Sequence, residues 1–126
     1  MSKVRFVLDT NLLLSAALFK NSLARKAFDI VVTSESEIIL SIPVLEELTD
    51  VLNRSRFDRY VSIEIRNQFL ADFLELIEMV DITRTITDCR DPKDNKFLEL
   101  ATSGHAQFIL TNDKDLWLSQ ISRGRH

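Results

Sequence analysis

The chain of 126 residues has two glycines, two prolines and one cysteine, and each scarcity removes a class of structure. With so little glycine there is no phosphate-cradling loop of the G-x-x-x-x-G-K kind, and no Ser/Gly-rich tract that would read as a linker. The lone Cys89 excludes an internal disulfide and any multi-cysteine metal site. Two histidines, His105 and His126, lack zinc-ligand spacing and give no convincing base for a serine or cysteine nucleophile. No apolar run approaches the roughly 20 residues that span a bilayer, so no membrane association is expected. The start Met1-Ser2-Lys3 leads into a strand-like segment instead of a signal-peptide pattern, which together with cysteine scarcity sets the expectation of a cytoplasmic protein.

What remains is 45% apolar, enough for one ordinary core, and the expectation is a single domain over residues 1–126. The net charge is −3, which counts against phosphate binding. That objection reverses if clustered acids hold two divalent cations, because the ions' own charge then outweighs the excess. The bases are unevenly spread: Arg54, Arg56, Arg59 and Arg66 fall close together, and Arg123, Arg125 and His126 end the chain. Each group is equally well explained as a solvated helix face or a frayed tail.

Hydrophobic periodicity organises the chain into alternating strands and helices. Val4 to Leu8 reads as a buried strand interrupted by Arg5, and Asp9-Thr10-Asn11 ends it. Helical patterns follow from Asn11 to Phe19 and from Ser22, an N-cap residue, through Leu23, Ala27, Phe28 and Val31. Glu37 to Leu40 reads as a second strand, and Ser41 caps a helix with Pro43 in its first turn. The spacing of Ile65, Phe69, Leu70, Phe73, Leu74 and Ile77 predicts a long helix from Ser62 to Glu78, followed by a strand at Met79 to Thr83. Asp91-Pro92 opens a helix that runs to Ser103, with Gly104 as its C-cap glycine, and Gln107 to Thr111 is the last clear strand. Such alternation implies a mainly parallel sheet of four to five strands between helices, with ligands beyond the strands' carboxyl ends.

Acidic residues fall at those ends, and each has a plain structural explanation of its own. Asp9, between strand and helix, serves equally well as an N-cap, a role open to Asn11 too. Helix geometry separates Glu46, which points to solvent, from Glu47, which lies beside Val44 and Val51 at the margin of the apolar face. Asp91 as N-cap and Asp94 at N3 account for a helix start, although Asp94 lies on the side of Phe97, Leu98 and Ala101. Asp113 and Asp115 flank Lys114 in a turn. The coincidence carries the weight: like charges about 4 Å apart cost about 4 kcal/mol at an effective dielectric near 20, so converging carboxylates call for a cation. Oxygen-only ligands favour Mg²⁺ or Mn²⁺, one or two ions, over Zn²⁺.

The segments Val7-Leu8-Asp9-Thr10-Asn11, Ser41 with Glu47-Leu48, Asp91-Pro92-Lys93-Asp94-Asn95-Lys96 and Leu110-Thr111-Asn112-Asp113-Lys114-Asp115-Leu116 resemble, in this order, the PIN domain family. The stretch from Arg90-Asp91-Pro92 to Leu100-Ala101 looks like its toxin-component branch, related to VapC-like toxins. The resemblance implies a three-layer α/β/α fold and a metal-dependent endoribonuclease with RNA as substrate. Its catalytic and metal-binding acids map onto Asp9, Glu47, Asp94 and Asp113, with Asp115 as a fifth metal ligand. Asn11 and Thr111 match supporting polar positions, and Asp91 belongs to the branch pattern. A small antitoxin protein and a second copy of the chain are the protein partners to expect. One departure is that the chain stops soon after Trp117, where family members continue into a final strand. Basic residues among Arg54, Arg56, Arg59, Lys93 and Lys96 are candidates for placing backbone phosphates.

Two other readings compete. A small-molecule phosphatase of the haloacid-dehalogenase or receiver type places an aspartate after a strand, but Asp9-Thr10-Asn11 lacks that pattern's second aspartate. A non-catalytic PIN-like binding module would use the acidic cleft to dock a partner's arginine.

Overall fold

The computed structural model describes residues 3–83 and 95–111. Four short strands, β1 (Arg5–Leu8), β2 (Glu37–Leu40), β3 (Ile77–Met79) and β4 (Phe108–Leu110), form one parallel sheet in the order β3-β2-β1-β4. Phe6 stands in register with both Ile38 and Phe108, and Leu8 with Leu110. β1 is an inner strand of a parallel sheet flanked by helices, which cover its two faces, and Val7 and Leu8 are therefore buried together and not alternately. Arg5, which interrupts the apolar run, reaches across β2 and bonds Glu78 on β3 at 2.6 Å.

The helices are α1 (Thr10–Leu18), α2 (Leu23–Thr33), α3 (Ile42–Leu52), α4 (Ile63–Leu74) and α5 (Asn95–Ser103). They give the α/β/α architecture the alternation implied: α1 packs with α2, α3 and α4, while α5 lies on β1, β2 and β4. Serine side chains start three of them: Ser22 accepts from the Arg25 N–H at 3.0 Å and Ser41 from that of Val44 at 3.4 Å, the two caps expected, and Ser62 accepts from that of Ile65 at 3.3 Å. Pro43 sits in the first turn of α3, where its missing N–H has no helical partner to lose.

Three expectations are corrected. The helix from Ser62 stops at Leu74, and the strand that follows is Ile77–Met79 instead of Met79 to Thr83. Ile77 fits the helical period, but as part of a strand it pairs with Ile38 of β2, and the sheet ladder overrides the local pattern. Within α4, Ile65 is exposed and Arg66 is completely buried, the reverse of what side-chain polarity suggests. Gly104 does not take the left-handed position after α5; His105 does, with φ 56°. The Ala106 N–H bonds the Ala101 carbonyl at 2.8 Å and the His105 N–H bonds that of Thr102 at 3.3 Å, closing a Schellman motif around His105. Gly104 leaves room for the sheet, because a Cβ there would press on Ile39 Cδ1, which would have to shift.

The order β3-β2-β1-β4 creates the feature that matters for function. From β1 the chain moves outward through β2 to β3, then returns through α5 to the opposite side of β1. In a parallel sheet, a reversal of strand order of this kind is where a crevice forms beyond the strands' carboxyl ends and where ligands bind. Asp9 follows β1 there and Thr111 follows β4.

Candidate active site

Asp9 is the first residue of the site and one of few buried polar residues, 3% exposed. Its extended backbone (φ −78°, ψ 164°) turns the chain from β1 into α1, and its Oδ1 accepts the Leu12 N–H at 2.8 Å. The N-cap role foreseen for it is therefore real, and it takes one oxygen. The other, Oδ2, accepts a hydrogen bond from the Thr111 hydroxyl. Backbone reinforces this junction, with the Asp9 N–H bonded to the Leu110 carbonyl at 3.0 Å. Asp9 and Thr111, 102 residues apart, are thus joined across the switch point.

Thr10 extends the site towards α3. It is buried, and its hydroxyl donates to Glu47 Oε2. The other Glu47 oxygen, Oε1, meets Lys96 Nζ of α5 at 2.7 Å. Glu47 is half-buried and Glu46 exposed, so the helical geometry that distinguished them holds. Asn11 is exposed in the first turn of α1.

Of the residues singled out in the sequence, the structure brings together Asp9, Glu47 and Thr111 through Thr10. Asp91, Asp94, Asp113 and Asp115 lie outside the described residues, as do Cys89, Lys93 and His126. Among the described residues, no group of three or more His, Cys, Asp or Glu side chains stands together. Thr10 went unassigned in the sequence, although a polar residue three positions before buried Leu13 was a sign that it faces inward. Lys96, one of the five basic residues among which phosphate contacts are expected, sits on the Glu47 carboxylate.

The arginine cluster divides. Arg66 is structural, donating from Nε to the Leu52 carbonyl at 2.7 Å, from Nη1 to that of Val61 and from Nη2 to Asp58 at 2.7 Å. Arg54 pairs with Asp50 at 3.0 Å, while Arg56 and Arg59 lie over the rings of Phe57 and Tyr60. A groove of about 470 Å³, lined by residues including Leu18, Arg25, Tyr60 and Phe69, shares no residue with the site.

Among the described residues the donors at the site are carboxylate and hydroxyl oxygens, with no sulfur or imidazole, a set that suits a hard dication such as Mg²⁺ or Mn²⁺. They fit such an ion chemically, and Glu47 already holds a cationic group.

Comparison with known proteins agrees with this fold. The model of the PIN domain matches residues 5–115. The uncharacterized protein MJ1680 of Methanocaldococcus jannaschii is 29% identical over 115 residues, covering 90% of this chain and 74% of that protein. A chain in the crystal structure of VapBC2 from Rickettsia felis bound to a DNA fragment from their promoter superposes with a TM-score of 0.62 at 18% identity, over 88% of this chain and 89% of that one. At that identity the likeness is one of fold. The family match spans β1 to the segment beyond β4, taking in Asp9, Glu47 and Thr111, and by it this chain belongs to the PIN domain family.

Proposed function

We propose that this chain is a divalent-metal-dependent endoribonuclease acting in the cytoplasm as the toxin of a toxin–antitoxin pair. PIN domains are generally nucleases that use divalent ions, and membership of the family makes this chain a PIN-family nuclease. The observation that carries the proposal is the pair Asp9 and Glu47, linked through Thr10 at the switch point of a parallel sheet. These two residues would hold the ion, with Asp94, Asp113 and Asp115 as the acids the sequence adds. Bound there, Mg²⁺ or Mn²⁺ lowers the pKa of a water molecule and offsets the charge that develops on a phosphodiester under attack.

The chain's own contribution is preorganisation. The Leu12 N–H and Thr111 hydroxyl fix both oxygens of Asp9, and Thr10 fixes one oxygen of Glu47, so neither carboxylate must be ordered when the ion arrives. Asn11, exposed beside them, offers an amide to the substrate. Support for a small antitoxin partner comes from the fold shared with a chain of the VapBC2 complex.

Digestion of unstructured RNA with and without Mn²⁺ tests the reading, comparing the wild type with Asp9→Asn and Asp94→Asn. We expect Mn²⁺-dependent cleavage by the wild type, lowered at least about a hundredfold in either variant, in line with the loss of a metal-orienting group. Cleavage that persists in both variants, or that ignores the metal, contradicts it.

A further inference from the structure

We propose that Lys96 is a built-in counter-ion that occupies Glu47 in the metal-free protein and must leave that carboxylate before a divalent ion can bind. The proposal rests on the reading of Asp9 and Glu47 as a metal site. The Lys96 ammonium stands 2.7 Å from Glu47 Oε1, where a metal ligand would need its lone pair. The pair differs from two local ones: Arg25–Asp29 lies within α2 and Arg54–Asp50 spans four residues at the end of α3, whereas Lys96 joins α5 to α3. Glu47 Oε2 is held by Thr10, the residue next to buried Asp9, so the ammonium sits on the Glu47 oxygen that Thr10 does not hold.

Physical chemistry favours such an arrangement. Carboxylates gathered without a cation repel one another, and a lysine supplies a positive charge that does not depend on metal supply. Both partners are a quarter exposed, so the contact is weak enough to exchange with an ion from solvent. A dication that takes the Glu47 oxygen would repel an ammonium at that distance, so metal and lysine compete for one carboxylate.

Isothermal titration of the 126-residue chain with Mn²⁺ tests this, using the wild type, Lys96→Met and Lys96→Arg. Competition predicts that Lys96→Met tightens the Mn²⁺ Kd about tenfold, equivalent to about 1.4 kcal/mol. Lys96→Arg keeps the charge and should stay near the wild-type Kd. Melting gives a second readout: in EDTA, Lys96→Met should melt below the wild type, and saturating Mn²⁺ should raise its Tm by more than it raises that of the wild type. An unchanged or weaker Kd in Lys96→Met overturns the proposal while leaving the metal site standing. Absence of Mn²⁺ binding by wild type and variants alike would instead remove the metal reading on which it rests.

Discussion

At the scale of single residues, polarity and location part company at two places. Asp9 is buried because both of its oxygens are engaged, one closing a helix and one reaching the opposite strand, so the cap and the functional reading describe the same carboxylate. Arg66 is buried for a different reason. The chain between α3 and α4 leaves the carbonyls of Leu52 and Val61 facing inward, and a guanidinium with several fixed donors satisfies them together while pairing with Asp58. Helical spacing does put Arg66 on the apolar face, at i, i+3, i+4 and i+7 with Phe69, Leu70 and Phe73, but its charge made it read as a surface residue. Removing it would orphan those carbonyls and open a void. We expect Arg66→Met to destabilise the protein by about 3 kcal/mol, read from the urea midpoint, whereas Arg54→Ala, at an exposed pair, should cost less than about 1 kcal/mol. Equal effects would show that the buried network contributes nothing special.

At the scale of elements, starts were more legible than ends. Ser22, Ser41 and Ser62 announce their helices because the capping interaction is local and a hydroxyl is its signature. The end of α4 was hidden, since Ile77 continues the helical spacing and only its pairing with Ile38 shows that it belongs to a strand. The end of α5 was half legible: the turn was placed correctly, but the left-handed residue is His105. Gly104 instead lets the helix end approach the sheet, against an Ile39 side chain that is itself 1% exposed and has little room to yield. Adjacent residues should therefore respond in opposite directions. Gly104→Ala should lower stability by about 1–3 kcal/mol through overpacking, and His105→Gly should raise it by about 1 kcal/mol by relieving the left-handed strain. Chemical denaturation of the two variants checks both signs.

At the scale of the whole molecule, the alternation of periods indicated a parallel sheet, and the parallel sheet indicated where a ligand belongs. Strand order was not legible, because nothing local to β4 says that it returns to the far side of β1. That return makes the site: it carries Thr111 onto Asp9, while the turn from β1 into α1 sets Thr10 against Glu47. Glu47 could be read from helix geometry and Asp9 from its place after a strand, whereas the Lys96 contact required the packing of α5 beside α3. Asp94 and Asp113 carry the sequence's expectation of further acids for the same crevice. The most direct test is thermal melting with Mn²⁺ of the wild type, Asp9→Asn and Glu47→Gln. Asparagine caps helices about as well as aspartate, so Asp9→Asn should keep its fold in EDTA and report on the ion alone. We predict that Mn²⁺ at about 100 times its Kd stabilises the wild type by about 2.7 kcal/mol and that both substitutions abolish most of this gain. Equal Mn²⁺ stabilisation of all three proteins would contradict the account.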